Sequence, residues 1–252
     1  MSVVLSADTV VKTYGSFTAL HGVSFALHKG KTLGIVGESG SGKSTLGRIV
    51  IRLLAPDSGT VWLGDQNLFA LDRSALRAAR RRIQLVPQDP RNALNPTLTV
   101  RDNLFFQLRA QGVARSTWRA RAEFLLDQVS LPADYLHALP HELSGGQAQR
   151  VAIARAIANN PEVLVCDEAV SALDKSVQAQ VLNTFADLQA SLGVAMFFIS
   201  HDLAVVEHIS DDVLVLNRGK AVESGSTKEV LADPQDAYTR ELLEARHLAT
   251  PA

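Results

Sequence analysis

The chain has 252 residues, 46% hydrophobic and 20% charged, with a net charge of −1 and a pI of about 6.7. That length suits one large domain with a substantial core, and the balanced charge argues against a dedicated nucleic-acid binder, which carries a basic excess. The lone cysteine, Cys166, excludes an internal disulfide, and no stretch approaches the roughly 18 apolar residues of a membrane-spanning helix.

Met1–Tyr14 lacks the basic start and apolar core of a secretory leader, so a membrane role is expected to come through a partner. Strands and helices alternate along the chain, which points to the α/β class. Val3–Leu5, Val10–Val11 and Val23–Ala26 read as short strands, and Thr32–Val36 as a strand running into a glycine-rich loop. Leu46, Ile49, Val50, Leu53 and Leu54 then recur at helical spacing. From about Asp89 to Asn160 no strong strand signal occurs. Phe124–Val129 and Val151–Ile157 indicate helices, so this stretch reads as a helical insertion. Val163–Cys166, Val194–Ile199 and Val213–Leu216 are the continuous apolar runs of buried parallel strands. The chain from Thr227 reads as helical around Glu241–Leu248 and frays at Ala249–Ala252.

Gly37-Glu38-Ser39-Gly40-Ser41-Gly42-Lys43-Ser44 fits the GxxxxGK[ST] pattern between a strand and a helix. Its glycines let backbone N–H groups approach phosphate oxygens, and the helix start adds a positive dipole end. Lys43 is placed to reach the β- and γ-phosphates and the Ser44 hydroxyl to hold Mg²⁺. Alone, this loop means nucleotide phosphates and leaves kinase, GTPase and ATPase open. Leu164-Val165-Cys166-Asp167-Glu168 ends a buried strand in two carboxylates, a costly placement unless a cation or a function occupies them. Asp167 is the candidate Mg²⁺ ligand and Glu168 the general base for water.

Leu143-Ser144-Gly145-Gly146-Gln147-Ala148-Gln149-Arg150 is a Ser/Gly turn opening a helix, a place where N–H groups and a hydroxyl meet an anion. It closely resembles the signature sequence of ABC proteins. Tyr14 stands where that family carries an aromatic stacking on adenine. Gln88 matches the Q-loop glutamine, Ser171-Ala172-Leu173-Asp174 the D-loop, and His201 the switch histidine. Taken singly, Tyr14 reads rather as a packed or surface tyrosine, His201 as a satisfied strand-end histidine, and Gln88 carries no meaning; their joint order and spacing carry the weight.

The resemblance implies a phosphate-loop NTPase fold: a RecA-like parallel-sheet core, an N-terminal antiparallel β subdomain and an inserted helical subdomain. It implies one cassette over 1–252, with the core at about 1–88 and 161–235, the insertion at about 89–160 and a helical tail at 236–252. Two cassettes would pair head to tail around two ATP molecules. Gly37 to Thr45, Asp167, Glu168, Gln88 and His201 would serve one site, with Gln88 also near Mg²⁺, and Ser144, Gly145, Gly146 and Gln147 the opposite one.

Gln88-Asp89-Pro90, Leu94-Asn95-Pro96, Cys166 to Asp174, Ser176 to Leu182, Asp233-Pro234 and Tyr238 to Leu243 resemble importers of dipeptides, oligopeptides and nickel. Ala169-Val170 departs from the Pro-Thr pair common among ABC proteins, as it does elsewhere in this subfamily. Some relatives carry a cysteine-containing tail; none is seen here, so no metal cluster is expected. The implied partners are a second cassette, a heterodimer being favoured over a homodimer, two integral membrane permease subunits and a separate solute-binding protein, with no nucleic acid. The implied location is peripheral, on the cytoplasmic face of the plasma membrane.

Gln88 and the segment Asp89–Val100 are expected to form the docking surface for a membrane subunit, with Pro90 and Pro96 stiffening it. Leu94, Leu98 and Val100 are expected to present apolar surface there; the alternative is that they pack inside the insertion. Arg73, Arg77 and Arg80 to Arg82 read as a solvated helix face or a contact with acidic groups, not a nucleic-acid site, because aromatics are not interleaved. The rival classes are a soluble ABC ATPase of repair or translation, a small-molecule kinase, and a cassette that binds without hydrolysing. Intact Lys43, Glu168 and His201 argue against the last.

Overall fold

The computed structural model describes residues 2–249, with side chains through 245. The first two strands, β1 (Val3–Tyr14) and β2 (Phe17–His28), form a long antiparallel hairpin. The two short strands expected at Val3–Leu5 and Val10–Val11 are thus one strand. An irregularity interrupts its pairing between Ala7 and Val10, where Thr9 takes a φ of 47° and its N–H donates to Ser24 Oγ at 2.8 Å. After β3 (Thr32–Val36) and α1 (Lys43–Val50), β4 (Ser58–Leu63) and β5 (Gln66–Asn67) complete a sheet of order β2-β1-β4-β5.

Helix α1 stops short of the expected Leu53 and Leu54. Arg52 turns left-handed at φ 53°, and Leu53 is 66% exposed. Helix α2 (Arg73–Arg82) starts at Asp72, whose carboxylate accepts from the Ala75 N–H. Its arginines lie on a largely solvated face, and Arg82 grips Glu162 through Nε at 2.6 Å and Nη2 at 2.9 Å.

The second sheet runs β10-β9-β3-β8-β7-β6. Its parallel members are β6 (Ile83–Val86), β7 (Val163–Asp167), β8 (Ala195–Ile199), β9 (Asp212–Asn217) and β3. β10 (Lys220–Ser226) returns antiparallel to β9. Central β3 and β8 are buried at every position, so their sequences are unbroken apolar runs apart from Thr32 and Gly34.

Between β6 and β7 the chain forms α3 (Val100–Ala110), α4 (Trp118–Asp127), α5 (Gly145–Ile157) and short 3₁₀ turns. Leu94 and Val100, expected on a docking surface, are instead 5% and 0% exposed. They pack with Leu104, Leu125 and Val151, while Leu98 is half-buried. Burying these apolar side chains is worth about 1.5–3 kcal/mol each, which keeps them in the interior.

The remaining helices are α6 (Lys175–Leu192), α7 (Leu203–Ile209), α8 (Thr227–Ala232) and α9 (Ala237–Ala249). The fraying expected at Ala249–Ala252 falls, beyond Ala249, outside the described residues. Among the described residues no helix is long and apolar enough to cross a membrane.

Candidate active site

Strand β3 delivers the chain into the loop Gly37–Gly42, and α1 carries it away. Two glycines are needed for geometry. Gly37 has φ 153°, and a Cβ there would stand 2.1 Å from the Leu216 carbonyl oxygen; Gly42 has φ 105°, and its Cβ would meet the Ala19 carbonyl oxygen at 2.7 Å. The loop is clamped from outside: the Gly219 N–H donates to the Ser41 carbonyl at 2.9 Å, and the His21 N–H donates to the Gly219 carbonyl at 2.8 Å.

Lys43 folds back into this ring. Its Nζ donates to the carbonyls of Gly37 at 2.6 Å and Glu38 at 2.8 Å, and the residue is 4% exposed. Burial lowers its pKa, opposed by the negative charges of Glu168, Asp167 and Glu38. Nearby, the buried Ser41 Oγ has no hydrogen-bond partner. The first turn of α1 holds no acidic residue, and no side chain caps its N-terminus. A buried ammonium, an orphan hydroxyl and an uncompensated helix start all fit an anion with several oxygens.

Three neighbouring strands, β6, β7 and β8, bring the other groups to the same carboxyl edge of the sheet. The Ser44 hydroxyl donates to Asp167 Oδ1 at 3.4 Å. Burial first, and then the charge of Glu168, raise the pKa of the Asp167 carboxyl; the Ser44 hydrogen bond and the charges of Arg48 and Lys43 oppose them. A hydroxyl beside a carboxylate that is costly to ionise fits a Mg²⁺ ion held jointly with phosphate oxygens.

Glu168 follows Asp167 in a left-handed conformation, φ 49°, its N–H held by the Ile199 carbonyl at 3.0 Å. A non-glycine residue there is uncommon and stores local strain. The turn aims its carboxylate outward, where Oε2 accepts from Gln88 Nε2 at 3.3 Å and lies 3.4 Å from His201 Nδ1. Ser171, the first residue of the D-loop match, completes the cluster. Its Oγ accepts from Gln88 Nε2 at 3.2 Å and donates to the Glu168 carbonyl at 3.0 Å.

Gly37 to Thr45, Asp167, Glu168, Gln88 and His201 are therefore one constellation. The others stand apart from it. Tyr14 ends β1, 46% exposed, with the Lys12 ammonium 5.7 Å from its ring centre. Ser144 caps α5 in a reciprocal pair: its Oγ accepts from the Gln147 N–H at 3.3 Å, and its N–H donates to Gln147 Oε1 at 2.8 Å. Gln147 Nε2 donates to the Tyr135 hydroxyl at 2.7 Å. Ser144 and Gly145 face solvent, while Gly146 is buried.

This arrangement, a phosphate loop beside two strand-end carboxylates, with a separate exposed Ser-Gly-Gly helix start, defines an ATP-binding cassette. A family profile described as ABC transporter matches residues 20–171. A Brucella ovis protein named as a peptide import ATP-binding protein is 46% identical over 246 residues, 96% of this chain and 78% of that one. The glutathione import ATP-binding protein GsiA of Escherichia coli is 46% identical over 235 residues, 93% of this chain but 38% of GsiA. Among solved structures, cbiO1 of Clostridium perfringens, part of the ABC transporter complex cbiONQ, superposes with a TM-score of 0.85 at 26% identity, covering 100% of this chain and 97% of that one. The cassette MJ0796, a dimer in a post-hydrolysis state with ADP and Pi, gives 0.78 at 31% identity, covering 88% of this chain and 98% of that one. The chain belongs to the ATP-binding cassette family of ABC transporters, and it is an ATPase of the importer type.

Proposed function

We propose that this chain binds and hydrolyses MgATP to drive import of peptides or a related small solute, such as nickel, through separate membrane subunits. The observation that carries the reading is the convergence of Lys43, Asp167, Glu168, Gln88 and His201 on one edge of the parallel sheet. The cargo class follows from the peptide and glutathione importers it resembles.

In this reading the free N–H groups of the segment Gly37 to Thr45, with Lys43, hold the phosphates, and Glu38, Ser39, Gly40 and Ser41 shape the loop. Ser44 and Asp167 would hold Mg²⁺, with Gln88 beside them; the ion supplies charge neutralisation at the transferred phosphoryl group. Glu168 takes a proton from the attacking water, and His201 orients Glu168 and the phosphate end. Catalysis is otherwise positioning and electrostatic stabilisation. Tyr14 offers its ring to adenine.

Ser144, Gly145, Gly146 and Gln147 serve the site of a second cassette, whose own signature turn closes this one. A heterodimer is favoured. The helical segment of about 89–160 and the core of about 1–88 and 161–235 act as the moving halves, with the tail from 236 beside them. The chain works peripherally, at the cytoplasmic face of the membrane, with two permease subunits and a separate solute-binding protein. Docking falls in the cleft of about 270 Å³ lined by Arg48, Leu53, Pro87, Gln88, Asp89 and Asn92. Exposed Leu53 supplies the apolar lip there that Leu94 and Val100 do not, and a short helix from a permease fits such a groove.

The test is reconstitution with the co-encoded membrane subunits in vesicles. Peptide uptake should require ATP on the side of this chain and vanish in Lys43→Ala. ATPase activity stimulated by nucleic acid or ribosomes instead, with no membrane association, would replace the importer reading by that of a soluble ABC ATPase.

A further inference from the structure

The C-terminal helix touches the phosphate loop. The Glu38 N–H donates to the Tyr238 hydroxyl oxygen at 2.9 Å, joining positions 200 residues apart. That N–H belongs to the Gly37–Glu38 peptide unit, whose carbonyl points from the opposite edge of the same plane. The carbonyl is the one that accepts from Lys43 Nζ at 2.6 Å. Tyr238 and Lys43 therefore grip the two edges of one peptide. Gly37 holds φ 153°, a conformation open in practice to glycine alone, so the orientation of that peptide depends on the groups that grip it.

Tyr238 is itself firmly placed. Its N–H donates to Asp236 Oδ1 at 2.8 Å. The N–H groups of Gln235 and Asp236 are held by Glu223 of β10 at 2.8 and 3.2 Å. The ring, with Leu242 and Leu243, packs on the buried cluster of Val36, Val206, Val213 and Val215. Val36 is the residue immediately before Gly37. Burial also raises the pKa of the phenol, which is neutral at working pH in any case.

We propose that Tyr238 is a positioning residue for ATP binding: its hydroxyl fixes the Gly37–Glu38 peptide, and that peptide's carbonyl aims Lys43 at the phosphates. The start of the C-terminal helix is thereby part of the nucleotide site, and displacing it loosens ATP. This rests on the reading of Lys43 as the phosphate-binding cation.

Tyr238→Phe removes the hydroxyl and keeps the ring. MgATP affinity and KM should weaken by about two- to tenfold, the usual net effect of one hydrogen bond, with kcat held within about twofold. Hydrogen exchange in the peptide containing Glu38 should quicken in the nucleotide-free protein. A purely structural tyrosine would lower the melting temperature and leave KM unchanged, and an unchanged KM overturns the proposal. Lys43→Ala run alongside separates the two readings. If that variant keeps wild-type ATP affinity, the assignment of the loop fails. If it loses affinity while Tyr238→Phe does not, only the role of Tyr238 fails.

Discussion

Gly146 lies where α5 and α6 touch. A Cβ added there would stand 2.2 Å from Val177 Cγ1, with Val177 Cβ at 3.6 Å and Cγ2 at 3.9 Å. Carbon atoms rest about 3.5–4.0 Å apart, so the new methyl is at least about 1.3 Å too close to Cγ1. Relief has two routes: Val177 leaves its helical rotamer, or the helices part. A valine in a helix holds one rotamer about 90% of the time, so the first route costs on the order of 1 kcal/mol. General overpacking costs about 1–3 kcal/mol. Against this, alanine gains up to about 1 kcal/mol over glycine in a helix.

The expected net effect of Gly146→Ala is therefore a loss of about 1 kcal/mol in the wild-type background. In a Val177→Ala background the clash is gone, and the same substitution should stabilise. Urea unfolding of the four proteins closes the cycle, with an expected coupling energy of at least about 1 kcal/mol. If Gly146→Ala stabilises equally in both backgrounds, the contact does not explain the glycine.

Glu168→Gln should retain ATP binding and lose hydrolysis by about 10²–10⁴-fold, the range for a removed general base. Size-exclusion chromatography should then show an ATP-stabilised dimer, and wild-type turnover would remove Glu168 from the mechanism. Asp167→Asn should abolish Mg²⁺-dependent hydrolysis yet stabilise the nucleotide-free protein. The pKa of Asp167 is raised on folding, so its charge costs stability above that value and costs nothing below the unfolded one. The advantage of the variant in urea unfolding should accordingly be full at neutral pH and shrink as pH falls through the raised pKa; a variant less stable at neutral pH contradicts this. Cys166 is fully buried, and burial, aided by the charge of Asp167, raises its pKa. Thiol reagents should label it at the rate of unfolding, and stoichiometric labelling of the native protein within seconds would show the strand to be open.

What could be read from sequence follows from how local each feature is. The phosphate loop and the Ser144–Gln147 helix start are contiguous, so their chemistry is written in one short stretch. Gln88, Glu168 and His201 are far apart in sequence, and each follows an apolar strand. Only the adjacency of β6, β7 and β8 brings them within hydrogen-bonding reach. Strands β4 and β10 escaped notice because they lie towards sheet edges with largely exposed side chains, which removes the apolar run. Helix α3 escaped too, although Thr99 caps it by accepting from the Asp102 N–H at 3.2 Å. Leu94 and Val100 looked available for docking because Pro90 and Pro96 mark a loop. Their burial depends on α3, α4 and α5 closing over them, which no local pattern records. Tyr238 was visible only as part of a subfamily motif, since its partner is 200 residues away.

The same contacts indicate how the two ends of the cassette communicate. Gln149 of α5 is 1% exposed, and its Nε2 donates to the Pro87 carbonyl at 3.4 Å, one residue before Gln88. Gly146, three residues earlier on the same helix, bears on Val177, whose N–H is held by Asp174 at 2.9 Å. The helix that begins with Ser144 is thus tied at one point to the Gln88 loop and at another to the stretch that follows Glu168 and Ser171. Packed interfaces of this kind shift between discrete arrangements and do not stretch continuously. The Gln149 bond and the Gly146–Val177 contact therefore give a physical route from the hydrogen bonds around Glu168 and Gln88 to the Ser144 end of α5. If, as proposed, the Ser144 turn serves a second cassette, Gln149→Ala should uncouple the two ends, lowering hydrolysis in the assembled dimer while leaving MgATP affinity of the single chain unchanged; equal hydrolysis by variant and wild type would refute this route.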